Sequence, residues 1–340
     1  MMLQEIRCPQ CHALDKTKHM QYQVKSGEIR FIYACKGCHN HFSETKNTPL
    51  AGLRTNMDTI IKIMKSLNEG MSINATCRTF EVSRNTVRNW LDKLGSLKKT
   101  LLLYAQCQKF VSQIIEGDEL YTKVYKNTPQ DESQGWTIVL MERASRFIWH
   151  LKCGEKDHYL FMDAMGVVAQ VIETTQKLSL FTDGERRYGN MLFEICHEVI
   201  RTGKRGRPAK TLVENVIVRV KNKGSQAHKK GPKREKYQAP QPEHPATTLA
   251  TENHAIHANH LEAFNSALRR KLSCYRRRTN TYAKNTERLQ ARLNVQWIFH
   301  NFICKHFTTK KVPAVALGIV EKSFSIAQMF RMQVLSTAHP

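Results

Sequence analysis

HAIHANHLEAFNSALRRKLSCYRRRTNTYAKNTER, residues 254–288, is the stretch on which the reading of this chain turns. Leu261, Phe264, Leu268, Leu272 and Tyr275 recur every three or four residues, which lines them along one stripe of an α-helix. Glu262, Arg269, Ser273 and Arg276 fall on a second stripe, about a third of a turn round. Eight cations, from Arg269 to Arg288, stand against Glu262 and Glu287. A lone carboxylate on a helix that packs through its other face, among arginines, suits a place where a phosphate backbone passes and a metal ion needs a ligand. Taken in isolation, the same segment also reads as a solvated basic helix whose Glu262 pairs with Arg269 or Ser266.

The composition decides between these readings. The 340 residues carry 53 Lys plus Arg against 29 Asp plus Glu, a formal charge of +24. An enzyme of small metabolites needs no such excess, whereas a polyanion partner does, and nucleic acid is the commonest. No apolar run reaches the roughly 18 residues that span a bilayer, and MMLQEIRCPQC has no apolar core of a signal peptide. The chain is long enough for two or three domains. The expected location is the cytosol of a prokaryote, at the nucleoid, with no membrane partner.

Ten cysteines do not form a disulfide framework in a chain of this length. Four of them make two knuckles, Cys8-Pro9-Gln10-Cys11 and Cys35-Lys36-Gly37-Cys38. Paired Cys-x-x-Cys turns at this separation predict a tetrahedral thiolate site for structural Zn²⁺ in a small ribbon spanning 1–48. Tyr22–Ala34 alternates like a hairpin with Gly27 at its turn. His39 and His41 are substitute ligands at most and read as surface residues.

Residues 49–108 read as a helical DNA-binding domain. Met57, Ile60, Ile61, Met64 and Leu67 form one stripe, ended by Asn68-Glu69-Gly70. Ser72 caps a helix through Phe80, with Ile73, Cys77 and Phe80 inward. Glu81-Val82 turns the chain, and Ser83 caps a third helix through Leu94. Val87, Leu91 and Leu94 pack, leaving Arg84, Asn85, Arg88 and Asn89 facing out. This is the shape of a helix-turn-helix, whose last helix enters the major groove, and Arg and Asn read guanine and adenine edges bidentately. Residues 96–110 read as a helical linker.

Residues 109–308 switch to an α/β pattern. Strands are expected at Val111–Val124, with Asp118 in the middle, and at Trp136–Met141, Arg146–Leu151, Leu178–Phe181 and Leu212–Val220. Helices are expected at Asp157–Gln176 and Gly189–Ile200. The fourth strand runs into Thr182-Asp183-Gly184. This β-β-β-α-β-α-β-α order, closed by the helix bearing Glu262, is the ribonuclease-H-like order: a mixed five-stranded sheet flanked by helices. Parallel neighbours would set Asp118 beside Asp183, and the last helix would bring up Glu262. Glu119 would point to the opposite face and reads as structural. Taken singly, Asp118 also reads as a strand aspartate paired to Lys123, and Asp183 as a turn residue before Gly184.

An insertion at 201–255 is basic and loop-like apart from its strand. Arg201–Lys236 holds 13 Lys or Arg against Glu214 and Glu235. Lys204-Arg205-Gly206-Arg207-Pro208 is similar to an AT-hook core, so Arg205 and Arg207 are expected on DNA, chiefly through phosphates. His254, His257 and His260 step by three residues, about 300° each, so the first and third cannot share one ligand sphere on a regular helix. His257 or His260 is expected to hold the scissile phosphate or Glu262. The tail, 309–340, shows one short apolar helix at Val315–Ile319. No phosphate-binding glycine loop appears, which predicts no ATP use.

The two knuckles, the helix-turn-helix, Gly117-Asp118-Glu119, Thr182-Asp183-Gly184, His260-Leu261-Glu262-Ala263-Phe264-Asn265 and Arg276–Lys284 together resemble the zinc-ribbon insertion-sequence transposases of the insertion-sequence-one type, over roughly residues 5–305. The resemblance implies an acidic triad of Asp118, Asp183 and Glu262 holding catalytic Mg²⁺ or Mn²⁺. Glu262 follows Asp183 after a long gap, which the basic insertion accounts for; Glu243 and Glu252, read as loop, are poorer choices. The implied activity is cutting of DNA at an element's ends and joining to target DNA, by a homo-multimer that brings two ends together. Such in-line phosphoryl transfers need only two hard cations about 4 Å apart and their carboxylates. Arg269, Arg276, Arg277 and Arg278 would lie along the DNA. The competing expectations are a non-catalytic DNA-binding regulator on a degenerate scaffold and a structure-specific nuclease.

Overall fold

The computed structural model of the chain describes residues 5–125, 128–201, 206–220, 241–242, 258–276 and 280–334. The chain divides into two compact units, residues 1–103, 291–304 and 320–340 in one, and 104–290 and 305–319 in the other.

The first unit begins with three antiparallel strands, β1 (Lys16–Gln23), β2 (Ile29–Cys35) and β3 (His41–Ser43), side by side in that order. Gln23 faces Ile29 across the first turn, where Gly27 takes φ +83°, a conformation that costs a residue without Cβ nothing. The apolar centre is small: Cys8, Cys35 and Phe42, edged by Ile6, Ala13, Tyr33 and Cys38. Three helices follow, α1 (Met57–Asn68), α2 (Ile73–Phe80) and α3 (Arg84–Gly95). Ser72 accepts the Ala75 N–H and Ser83 the Thr86 N–H, the two caps their positions predict. Glu81 closes α2 in the left-handed region at φ +54°. Ile60, Ile63, Met64 and Leu67 of α1 and Val87, Trp90, Leu91 and Leu94 of α3 are buried. Ile63 thus takes the inward place expected of Ile61, which is half-buried, and Thr76 takes the buried place on α2. α4 (Leu97–Gln106) buries Leu97, Leu101 and Ala105.

The second unit runs β4 (Phe110–Tyr121), β5 (Trp136–Glu142), β6 (Ile148–Gly154), α5 (His158–Glu173), β7 (Thr175–Thr182), α6 (Arg187–Ile195), β8 (His197–Ile200), β9 (Ala209–Leu212), β10 (Val216–Val220), β11 (Gln241–Pro242) and α7 (Asn259–Lys271). The main sheet has the order β11-β10-β7-β4-β5-β6, five full strands and a two-residue edge. β4, β5 and β6 form an antiparallel meander, whereas β7 lies parallel to both β4 and β10. β4 is therefore central, and β10 is buried along its whole length, as a strand with a parallel neighbour inside a covered sheet should be. α5 and α6 pack together, α5 against β5, β6 and β7, and α7 packs on β4. The chain continues through α8 (Thr286–Ile298), α9 (Pro313–Ala316) and α10 (Ile326–Arg331).

The structure corrects four expectations. The helix expected over Gly189–Ile200 stops at Ile195; His197–Ile200 instead pairs with Ala209–Leu212 as a two-stranded ribbon. The strand expected over Leu212–Val220 is two strands, parted at Asn215, which sits at φ +66°. The α7 stripe ends early: Leu272 turns extended (φ −121°, ψ 107°), and Ser273–Tyr275 is a single 3₁₀ turn, so Ser273 and Arg276 leave the helical register. Tyr275 is still buried, and its hydroxyl hydrogen-bonds to Thr137 on β5 at 2.6 Å. Finally, the tail holds two helices, and α10 packs on α1. Arg331 also pairs with Glu28 at 2.8 Å, and Gln333 bonds to the Arg7 backbone at both ends of its amide.

The expectations for Arg205, His254, His257, Arg277, Arg278, Glu243 and Glu252 lie outside the described residues. Among the described residues no helix is long and apolar enough to cross a membrane.

Candidate metal centre and acidic site

The two knuckles are built alike. In each, the first cysteine donates its N–H five residues on (Cys8 to Ala13, Cys35 to Asn40) and accepts from the residue four on (His12 and His39), all at 3.0 Å. His12 and His39 both sit in the left-handed region, at φ +59° and +56°, and so serve as turn residues. This repeated geometry aims four sulfurs at one point: Cys8 Sγ lies 3.5 Å from Cys38 Sγ, Cys11 Sγ 3.4 Å from Cys35 Sγ, and all four lie within 4.8 Å of one another. A tetrahedral zinc–thiolate centre with bonds near 2.3 Å has sulfur–sulfur edges of about 3.8 Å, so the set fits such an ion.

The electrostatics agree. Burial pushes the Cys8 thiol up, but the N–H groups of Cys11 and Gln10 and the neighbouring thiols outweigh it and bring Cys8 down to about 6. The Cys38 N–H lowers Cys35. The Asn40 N–H pulls Cys38 down, yet Cys11, burial and the other two thiols push it up to about 12. Some thiolates form readily while a neighbour keeps its proton, which a bound cation would displace.

In the second unit the strand register sets the acids. Glu116 faces Phe181, which faces Arg219; Gly117 faces Thr182, which faces Val220. Asp118 and Asp183 are the next residues on β4 and after β7, neighbouring strands that run parallel about 4.8 Å apart. Successive residues alternate faces. A Cβ on Gly117 would meet Tyr188 of α6 at 3.7 Å, whereas Asp118 meets α7, so the two helices cover opposite faces.

Two side-chain bonds join α7 to β4. His260 Nδ1 lies 2.8 Å from Glu116 Oε1, and Asn265 Nδ2 donates to Asp118 Oδ2 at 2.9 Å. Glu262 stands between those anchors in the first helical turn and is exposed. Asp118 and Asp183 are half-buried. Arg270 and Arg276 are exposed and Arg269 half-exposed. On the DNA-reading helix expected in the first unit, Arg84, Asn85 and Asn89 are exposed and Arg88 is half-buried. Among the described residues, the cysteines are the only group of three or more metal-binding side chains whose ligand atoms converge.

Charged side chains outside the expected set hold this region. Glu116 is 0% exposed and also accepts from Arg143 Nε at 2.7 Å, and the Arg143 guanidinium lies over the Phe181 ring at 5.1 Å. Burial lowers the nearby His306, with Arg146 and His260 adding to it. On the other face, Lys156 bridges Glu119 (2.8 Å) and Glu185 (3.5 Å), and Arg187 pairs with Glu185 at 2.8 Å. That network latches the loop carrying Asp183 and gives Glu119 the structural role expected of it. Burial pushes the Tyr188 phenol far up, helped by Glu119, Asp118 and Glu185.

His260 therefore bonds to Glu116, a partner not among those expected for it. Glu116 was legible: a carboxylate beside the apolar run Ile114-Ile115, two residues before Asp118 and so on its face. Asn265, three residues after Glu262, lay in the quoted motif without a role. No known family model matches the chain, and no curated protein shows significant similarity to it.

Proposed function

We propose that the protein is a DNA transposase that cuts and joins strands with Asp118, Asp183 and Glu262. The observation that supports the reading is the parallel pairing of β4 with β7, which ends at Gly117–Thr182 so that Asp118 and Asp183 are the next residues, with Asp118 hydrogen-bonded to the helix that bears Glu262. The strand order β10-β7-β4-β5-β6, antiparallel for the meander and parallel for β7 and β10, supports a ribonuclease-H-like domain. The +24 charge supports a polyanion substrate.

In this reading the four cysteines hold structural zinc, and the ribbon and the helix-turn-helix of α2 and α3 grip the element's ends. Arg84, Asn85 and Asn89 reach base edges, and Arg269 and Arg276 lie along phosphates. Asp118 and Asp183 supply hard oxygen donors of the kind Mg²⁺ prefers. The metal, when bound, would activate the attacking oxygen and stabilise the leaving one. Asn265 holds one oxygen of Asp118, and the Glu116–His260 contact holds the start of α7, so Glu262 is presented on a fixed helix.

A second reading, a DNA-binding regulator on the same scaffold, draws on the exposure of Glu262 and on the absence of a converged acidic group among the described residues. The experiment that separates them is strand cleavage and joining with Mg²⁺ or Mn²⁺ on linear DNA bearing the element's ends. Asp118→Asn and Asp183→Asn should abolish both steps while leaving DNA binding intact. Activity that survives both substitutions sinks the acidic mechanism, and cleavage without joining points to a nuclease.

A further inference from the structure

The ribbon of β8 and β9 replaces what reads in sequence as a helix end and a loop. Its root is fixed: Leu212 is buried, and Val213 N–H donates to Cys196 O at 3.1 Å. From the third pair, Val199–Lys210, onward it stands clear. Every described residue in 198–201 and 206–210 is exposed, on both faces of the ribbon. Val199 and Ile200 are 51% and 47% exposed, opposite Lys210 and Ala209. Arg201 and Arg207 follow the far pair, Lys210 stands opposite Val199 one pair in from it, and Glu198 is the one acid in the sequence of 197–212.

We infer that this ribbon is an arm that enters the major groove of duplex DNA. The inference rests on DNA being the partner proposed above. Charge selects the occupant. A second copy offering the same ribbon would set like cations against one another, whereas a phosphate backbone complements them. Dimensions select the groove. Two strands about 4.8 Å apart, with their side chains, fill a groove about 12 Å wide and are too broad for one about 6 Å wide. Arg207, read in sequence as part of a flat minor-groove segment, is thereby carried to the major groove. Exposed Val199 and Ile200 suit contact with thymine methyls.

The test uses the full chain and a duplex of about 30 base pairs, by fluorescence anisotropy across a salt series. The combined Arg201→Ala, Arg207→Ala, Lys210→Ala variant should bind at least tenfold more weakly at low salt. Its slope of log K against log salt should be shallower by about 0.9 for each phosphate it no longer neutralises. Replacing the same three positions so that each is lysine should restore the slope, since the charge returns. Guanine N7 methylation should interfere with wild-type binding, and a minor-groove ligand should not compete. Equal affinity and slope in the alanine variant would overturn the arm, as would displacement by the minor-groove ligand. A change in sedimentation for Val199→Ser, Ile200→Ser with DNA binding unchanged would also overturn it, and would make the ribbon a self-association surface. Wild-type protein that fails to bind the duplex at all would overturn the partner itself, a result distinct from loss of the arm alone.

Discussion

Glu116 and Asn265 show how single side chains fix a helix on a sheet. Glu116 is wholly buried and shared by Arg143 and His260, both partly exposed. Removing it leaves the Arg143 guanidinium without its carboxylate and His260 without its hydrogen-bond partner at the edge of the core, so Glu116→Ala should destabilise by about 2–4 kcal/mol, below the full cost of breaking a wholly buried pair. Asn265, 3% exposed, gives Asp118 one hydrogen bond, and Asn265→Ala should cost about 1–2 kcal/mol. Urea unfolding of the two variants checks the order, and Asn265→Ala as the more damaging would refute it. The carboxylate of Glu116 could be read from its place in an apolar strand. Its partners could not: Arg143 and His260 are 27 and 144 residues away in sequence.

At the scale of elements, the cysteine ribbon and the loop carrying Asp183 depend on opposite chemistries. The ribbon has almost no core of its own, so ligation should supply its folding free energy. Cys35→Ser should lower bound zinc and release β1–β3, read by metal analysis and by amide exchange of residues 16–43. Unchanged metal content would refute the site. The Asp183 loop is latched by charge. Burial pushes Glu185 up, but hydrogen bonds and charge from Arg187, with Lys156, hold its carboxyl below the usual range. A depressed folded pKa means the latch contributes fully above the unfolded value of about 4.3 and is lost as pH falls through the lower folded one. Amide exchange across 183–187 should therefore quicken on going from about pH 6 to about pH 3 more in wild-type protein than in Glu185→Gln. An identical acid response in both would remove the latch. Helix starts in the first unit were legible because Ser72 and Ser83 act within one turn. The β8–β9 ribbon was not, because His197–Ile200 becomes a strand only when Ala209–Leu212 supplies its hydrogen bonds.

For the whole molecule, the formal charge of +24 makes an ionic-strength prediction independent of the acidic site. A protein that neutralises roughly 6–10 phosphates loses about a thousandfold or more in affinity for duplex DNA between about 50 and 200 mM salt. Binding by this chain should do so, in Asp118→Asn as in wild type; affinity indifferent to salt would exclude the backbone as the main contact. By itself the sequence determined the cysteine knuckles, the capped helices, the alternation of strands with helices and the excess of cations, because each is written in spacings of a few residues or in composition. Only the tertiary structure decided the register in which β4 pairs with β7, the buried link from Glu116 to His260 and the ribbon at 197–212. Those depend on which segments meet across long stretches of chain, and pairing of that kind is fixed by burial and hydrogen bonds between segments, not by any local pattern.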